Sequence, residues 1–463
     1  MRLVVDAVAR VEGASRDLVA QMVALASAPN PAYVSAARAG RWTGGIPETL
    51  CLAREVGDTL LLPRGLVGRL LREAKDRGLD VDLVDHRLLL QGLGLTFKGT
   101  LREYQENALR QVGGRSQGVL VAPCGAGKTA LLGALVAKRR QPAIVLCHTR
   151  DLAFQLREDL GRWLGVHVGL VGAGEYSPGG VVDVALLQSL RDPERLGDLT
   201  GRYGLVAVDE CHHVPAMTFG EVVGAFPAVY RYGLSATPTR ADGLTPLLHA
   251  VLGPTLARIE AEDLEDEGVR VRPALRWLRG LPVPGFDPED WSRSVSRLAR
   301  SEPRNRLIVG EAAGLLGEGR ALLILASRKE QADVLAAGLR EKGYGAEALH
   351  GGRTKADRER ILEDLKGGSL RCVVSVNLAD EGLNVPVLDA LLLTAPTKNP
   401  GLLEQRVGRI LRALPGKAVP LVVDLVDGCG VLEYQARSRF FSVYRALCGG
   451  GTEQTEVERG RQS

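Results

Sequence analysis

Short runs of Val, Ile, Leu and Ala, separated by amphipathic segments of helix length, recur in two long stretches of this chain and set the strongest limit on its fold. The first set comprises Gly118–Ala122, Ala143–Cys147, Val181–Leu187, Leu205–Val208 and Tyr230–Leu234. The second comprises Ala321–Leu325, Ala346–Leu349, Cys372–Val376, Ala390–Leu393 and Pro420–Val423. A nearly continuous apolar strand has no wet face, so both of its faces must be covered, as in a parallel sheet flanked by helices. Helices are expected at Lys128–Arg139, Asp151–Trp163, Lys329–Lys342, Thr354–Lys366 and Gly401–Leu411. The pattern predicts an α/β chain with two parallel-sheet domains in tandem.

The remaining segments follow from this frame. Residues 1–97 lack the α/β rhythm and are expected to form a small N-terminal α+β accessory domain. The first α/β domain is placed at 98–280, a linker at 281–300 around the Pro- and Gly-rich LPVPGFDP, the second α/β domain at 301–448, and a flexible tail at 449–463. A length of 463 residues is ample for this division. The 45% hydrophobic and 25% charged fractions are ordinary globular usage and argue against a disordered or fibrous chain. The net charge of +4 does not by itself indicate nucleic acid. No apolar run reaches the ~18 residues of a membrane span, so no membrane partner is expected. Met1–Arg10 carries Asp6 and no apolar stretch of leader type. The seven scattered cysteines read as reduced thiols. Together these predict a cytosolic-type compartment.

Val119–Thr129 (VLVAPCGAGKT) carries the clearest chemistry. An apolar strand runs into a glycine-rich turn and then a helical pattern. Gly125, Ala126 and Gly127 would let backbone N–H groups converge on phosphate oxygens, reinforced by the helix N-terminus. Lys128 would reach the β- and γ-phosphates, and Thr129 would hold Mg²⁺. Ala122 stands where the full pattern has its first glycine. At the end of a second strand, Asp209 and Glu210 precede Cys211 and His212. Carboxylates at the C-terminal edge of an open α/β sheet sit where ligands bind. Asp209 would hold Mg²⁺, and Glu210 would orient or deprotonate an attacking water. Zinc on Cys211, His212 and His213 is disfavoured, because three adjacent residues cannot easily wrap a tetrahedral ion.

With these two motifs the chain resembles the superfamily 2 helicases and translocases, and further matches follow in family order. LREYQ (101–105) resembles the segment whose Gln reads adenine, which implies Gln105. CHTRDLAFQL (147–156) implies nucleic-acid backbone contacts from Thr149 and Arg150, and VALLQSL (184–190) implies one from Gln188. SATPTR (235–240) resembles the motif that couples hydrolysis to motion, with Ser235 and Thr237. LHGG (349–352), VSVNLADEGLNVP (374–386) and QRVGRILR (405–412) continue the match. They imply nucleotide contacts from Gly382 and Asn384, a coupling role for Gln405, and arginine fingers at Arg409 and Arg412. Asn384 departs from the Asp that many relatives use on the ribose. The resemblance covers roughly residues 98–425 and is strongest to the XPB-like and phage UvsW-like branch.

That resemblance implies two RecA-like domains, ATP and Mg²⁺ as cofactors, and 3′ to 5′ movement on single-stranded, forked or branched DNA. Repair, recombination or replication is the implied setting, and proteins of those processes are candidate partners. An RNA-dependent ATPase of the same core and an ATP-switched binding subunit without unwinding remain as alternatives. In the N-terminal domain, Leu62–Gly78 reads as a helix. Its Arg64, Arg69, Arg72, Lys75 and Arg77 are open to two readings, phosphate contacts or a solvated basic face. Trp42, Trp163, Trp277 and Trp291 are dispersed and are assigned to packing.

Overall fold

The computed structural model describes residues 1–213, 216–236, 242–376, 385–397 and 399–448. The expectations at Thr237, Gly382 and Asn384, and the tail 449–463, lie outside them. The chain divides into two compact units, Met1–Glu260 and Ala261–Ser463.

The first unit opens with β1 (Arg2–Val5), β2 (Val8–Glu12), α1 (Arg16–Leu25), β3 (Ser27–Pro29), α2 (Pro31–Arg38), β4 (Thr49–Cys51), β5 (Arg54–Val56), β6 (Thr59–Pro63), α3 (Val67–Asp76) and β7 (Asp82–Asp85). Five of these strands form a sheet in the order β5-β6-β2-β1-β7, and β3 pairs with β4 separately. β2 and β6 alternate buried and half-buried residues, the mark of a sheet covered on one face. Leu3, Val11, Leu18, Met22, Leu62 and Leu70 form its core, joined by Ala250. The expected helix at Leu62–Gly78 is shorter. Leu60 and Leu62 alternate inward on β6, Arg64–Leu66 make one 3₁₀ turn, and only then does α3 start.

The same unit continues with α4 (Glu103–Val112), β8 (Gln117–Val121), α5 (Lys128–Arg139), β9 (Ala143–Cys147), α6 (Arg150–Leu164), β10 (Val168–Gly172), β11 (Glu175–Ser177), β12 (Val182–Leu186), α7 (Pro193–Thr200), β13 (Leu205–Val208), α8 (Ala216–Gly224), β14 (Tyr230–Ser235), α9 (Thr245–Leu252) and β15 (Thr255–Arg258). These strands build an eight-stranded sheet in the order β11-β10-β12-β9-β13-β14-β8-β15. It is parallel except at β11. β9, β12 and β13 are buried along their whole length, as their apolar runs require.

The N-terminal sheet is fastened to this larger sheet by two buried arginines whose partners are carbonyl and amide oxygens. Arg64 is 1% exposed. It donates to Ala228 O at 2.7 Å, Asp6 O at 3.2 Å and Gln117 Oε1 at 2.9 Å. Arg231 donates to Phe226 O at 2.8 Å and Ala7 O at 3.1 Å. Burial pulls the Arg231 pKa down to about 9. Burial also lowers that of Arg64, and the charges of Arg231 and Arg87 add to the effect. Arg64 therefore leaves the set of basic residues proposed for phosphate contact, whereas Arg69, Arg72, Lys75 and Arg77 stay exposed.

The second unit contains α10 (Ala261–Asp266), β16 (Ala274–Pro282), α11 (Trp291–Arg300), α12 (Glu302–Gly317), β17 (Leu322–Leu325), α13 (Lys329–Glu341), β18 (Ala346–Leu349), α14 (Lys355–Lys366), β19 (Cys372–Ser375), β20 (Ala390–Leu393), α15 (Pro400–Gly408), β21 (Leu421–Gly428) and α16 (Gly430–Arg439). Its six-stranded sheet runs β16-β21-β20-β17-β19-β18, with every pairing parallel. The fold is thus α/β with two tandem RecA-like parallel sheets. The boundary expected at 280 moves. Residues 274–282 add to β21 as an edge strand, and 281–300, expected as a linker, hold the end of that strand and α11. Charged residues interrupt the apolar pattern of β16, because an edge strand is covered only in part. Two buried ion pairs tie helices to β21. Arg304 on α12 grips Asp427 at 2.9 Å, and Arg439 on α16 grips Asp424 at 2.8 Å.

All seven cysteines are free. No helix among the described residues is long and apolar enough to cross a membrane.

Candidate ATP site

β8, β9, β12, β13 and β14 run parallel, so their C-terminal ends form one edge. The phosphate loop follows β8, Thr149 follows β9, Gln188 follows β12, Asp209 and Glu210 follow β13, and Ser235 ends β14. Sequence order scatters these residues. Parallel pairing collects them, because each crossover helix returns the chain to the same starting edge.

The loop after β8 turns into α5 through Gly127, which takes φ +73° as the cap residue. A side chain there would be strained, and its Cβ would lie 2.6 Å from Gln105 Nε2. Gln105 is buried behind the loop. It donates from Nε2 to Ala126 O at 2.8 Å and accepts at Oε1 from the Arg102 N–H at 3.0 Å. Gln105 thus braces the loop from behind, and its amide nitrogen keeps a second N–H. Lys128 and Thr129 open α5, where the first-turn N–H groups have no helical acceptors and the helix carries partial positive charge.

Lys128 Nζ lies 2.8 Å from Glu210 Oε1, and both side chains are largely buried. Burial opposes the ammonium charge. The attraction of Glu210, Cys124 and Asp209 outweighs it and raises the lysine pKa. Glu210 occupies the left-handed region at φ +47°. Such a conformation costs a non-glycine residue about 1–3 kcal/mol and persists only where the surroundings impose it. Asp209 is 4% exposed. Burial first, and the Glu210 charge second, push its pKa up to about 6, against the pull of Lys128. A buried carboxylate beside a second carboxylate fits a divalent cation, which would relieve both costs. The donor set on hand is the Asp209 carboxylate with the Thr129 hydroxyl.

His212 adds a connection that the sequence reading did not assign. Its Nδ1 is 2.9 Å from Ser235 Oγ and 3.5 Å from Glu210 Oε2. Ser235 O in turn accepts from the Ala122 N–H at 2.9 Å, at the root of the phosphate loop. Glu210, His212, Ser235 and the loop are therefore one contiguous network. The position of His212 two residues after Glu210 is legible in the sequence. Its partner on β14 is not.

The remaining candidates are placed as follows. Thr149 caps α6, its Oγ1 accepting from the Leu152 N–H at 3.4 Å. The Arg150 guanidinium lies 5.5 Å from the Phe154 ring centroid. Gln188 is exposed at the sheet edge. In the second unit, Gln405 is buried on α15, Arg409 caps that helix, and the Arg412 backbone bridges to Arg270. Three of the four tryptophans pack against aromatic rings: Trp163 on Phe97, Trp277 on Tyr444 and Trp291 on Phe286. Trp42 does not. It is 84% exposed, which corrects its assignment to packing.

Comparison with known proteins agrees with this geometry. A family model described as the res subunit of type III restriction enzymes matches residues 98–240, and the helicase conserved C-terminal domain matches 307–414. Together they cover slightly more than half of the chain. The chain is 28% identical over 323 residues to a probable helicase, D10, of Escherichia phage T5, covering 69% of this chain and 70% of the relative. It is 26% identical over 376 residues to the DNA 3′-5′ translocase XPB2 of Sulfurisphaera tokodaii, covering 73% of this chain and 84% of the relative. Among solved structures, a DNA-bound type ISP restriction–modification enzyme, LlaBIII, has a TM-score of 0.56 at 15% identity, covering 82% of this chain and 32% of that one. This last likeness is one of fold alone. With a phosphate loop, a buried acidic pair and two parallel α/β sheets in place, and with relatives named as XPB and phage helicases, the chain belongs to the superfamily 2 helicases and is an ATP-hydrolysing nucleic-acid helicase.

Proposed function

We propose that this helicase is a DNA motor that uses ATP and Mg²⁺ to move 3′ to 5′, unwinding or remodelling DNA in repair, recombination or replication. The observation that carries the reading is the Lys128–Glu210–Asp209 cluster at the mouth of the phosphate loop. A nucleic-acid binder without turnover has no use for a buried carboxylate held in a left-handed turn beside the loop lysine. DNA and direction are supported by the relative named as a DNA 3′-5′ translocase.

Each residue has a role in this reading. The backbone N–H groups of Gly125, Ala126 and Gly127 bind phosphate oxygens, and Lys128 neutralises the outer phosphates once it leaves Glu210. Thr129 and Asp209 would hold Mg²⁺, which would supply charge neutralisation. Glu210, released from Lys128, orients water and takes its proton. Gln105 offers its remaining N–H to adenine. His212 and Ser235 pass the state of Glu210 to β14. Thr149, Arg150, Gln188 and Gln405 contact the nucleic acid or couple to it. Arg409 and Arg412 supply positive charge to the transition state. Gly382, Asn384 and Thr237 keep the nucleotide and coupling roles that their motifs imply.

The test is ATP hydrolysis at one salt concentration by wild type and Lys128→Ala, with no cofactor, single-stranded DNA, forked DNA or structured RNA. Stimulation by DNA that disappears in the variant supports the motor. Stimulation by RNA alone overturns the choice of DNA, and the absence of turnover with every cofactor overturns the motor itself. Direction is read on substrates with single-stranded tails of one polarity.

A further inference from the structure

Between β3 and β4 the chain makes a 19-residue excursion whose position and composition set it apart from the sheet it leaves. It runs from Asn30 through α2 to Glu48, with the sequence NPAYVSAARAGRWTGGIPE. Its base is built. Asn30 is 7% exposed, donates from Nδ2 to Pro47 O at 2.8 Å and, through its own N–H, to Glu48 O at 2.9 Å. Its Oδ1 also caps α2 at the Ala32 N–H. One residue thus closes both ends of the excursion and starts its helix.

The tip presents an aromatic ring and two cations to solvent. Trp42 is the most exposed large apolar side chain among the described residues, at 84%. The ring lies against the backbone at Gly44. A Cβ added at Gly44 would overlap indole atoms Cζ2, Cε2 and Nε1, so the ring lies over a backbone that only glycine leaves open. Arg38 and Arg41 precede it within four residues, are exposed, and make no ion pair among the described residues. No acidic residue occurs between Pro31 and Pro47. An exposed indole forfeits the stabilisation that burial would bring. An exposed π surface with two cations close by in the chain matches an unpaired base and its phosphates.

The mounting ties this tip to the ATP site. Ala28 of β3 packs with Leu244 and Leu247, and Leu50 and Leu52 join that cluster. Leu52 also approaches α8, where a Cβ at Gly220 would stand 3.1 Å from its Cδ2. α8 is the first α-helix after the acidic pair, and α9, which carries Leu247, is the first after Ser235. The excursion therefore stands on the two helices that leave the Glu210–His212–Ser235 network.

We propose that this excursion is a strand-reading finger in which Trp42 stacks on an unpaired nucleobase while Arg38 and Arg41 hold the flanking phosphates. The finger rests on the DNA-motor reading only for the choice of DNA as the strand. Stacking is tolerant of base identity, so the finger distinguishes unpaired from paired strand rather than one sequence from another. Its place on α8 and α9 lets occupancy of the finger bear on the elements that follow the hydrolytic residues.

The test uses the full chain, a dT oligonucleotide, a duplex of equal length and a matching RNA strand. Quenching of tryptophan emission and equilibrium affinity are read for wild type, Trp42→Ala and Trp42→Phe, with melting temperature as the folding control. The expected result is a roughly tenfold loss of single-strand affinity in Trp42→Ala, partial rescue in Trp42→Phe, loss of most quenching in both, and unchanged duplex affinity. Gly44→Val, which displaces the ring without deleting it, reproduces part of the loss. Arg38→Ala with Arg41→Ala lowers the salt slope of single-strand binding by about 1.4. Unchanged single-strand affinity in Trp42→Ala overturns the proposal and leaves the indole to a protein partner. Equal losses on single strand and duplex overturn stacking as the mode. If RNA binds in place of DNA and Trp42→Ala weakens it, the finger stands while the DNA reading falls.

Discussion

Lys128 and Glu210 satisfy one another at 2.8 Å, so the two residues assigned to opposite tasks on the phosphates are held as a pair. The contact engages one of the three ammonium donors and one carboxylate oxygen. A nucleotide phosphate in the loop would compete with Glu210 for Lys128, which links nucleotide binding to the freedom of Glu210.

Glu210→Gln is expected to divide binding from turnover. Losing the competing charge frees Lys128, so nucleotide affinity holds or rises. Losing the proton acceptor lowers kcat about 100-fold or more. Fluorescent-nucleotide titration beside steady-state hydrolysis separates the two, and parallel losses in both would sink this account.

In its proposed role as a cation ligand, Asp209 would make cation use depend on pH. Its pKa is raised to about 6 by burial and by Glu210, so the proton would compete with Mg²⁺ for one carboxylate. At pH 7 the carboxylate is mostly ionised; at pH 5 it is mostly protonated. Half-saturating Mg²⁺ for nucleotide binding should rise about tenfold over that interval, beyond the change seen in Asp209→Asn, which removes the titrating group. Equal pH responses in the two proteins would refute the assignment of Asp209 to the cation.

The His212–Ser235 contact at 2.9 Å predicts a coupling defect rather than a hydrolysis defect. His212→Ala should leave much of the basal ATPase in place while lowering nucleic-acid stimulation and strand separation per ATP. In a double-mutant cycle with Ser235→Ala the losses should be non-additive, because the second change removes an interaction already lost. Additive effects would show that the pair does not act as a unit.

Arg64→Ala should loosen the N-terminal sheet from the ATPase sheet. It removes four hydrogen bonds, strands buried carbonyls and leaves a cavity, a cost on the order of 3 kcal/mol. For a unit of this size that lowers the melting temperature by roughly 6–12 °C. Calorimetry reads the shift, and limited proteolysis should release the segment before α4. An unchanged melting profile would mean that Arg231 and apolar packing suffice.

The core strands and the phosphate loop are open to sequence reading because their signals are local. Alternation is not needed when a run such as Leu205–Val208 is apolar throughout, since a strand without a wet face has few places to go. Gly127 before Lys128 and Thr129 states both the turn and its charge. The weakly apolar strands are not legible in the same way. β10 is rich in glycine, β15 is short, and β16 carries arginines, so only their neighbours in the sheet make them strands.

The two α/β sheets, the residue types of the candidate ATP site and the family likeness can be read from the order of residues alone. Tertiary structure alone decided that Lys128 meets Glu210, that His212 reaches Ser235, that Arg64 is buried and that Trp42 is bare. Strand and helix signals repeat within a few residues, whereas burial and pairing depend on segments that parallel crossovers bring together from far along the chain. Arg64 and Trp42 reverse what composition suggests for that reason. The charge is inside because carbonyls from the β1–β2 turn and from the approach to β14 surround it, and the indole is outside because nothing in the described chain folds over it.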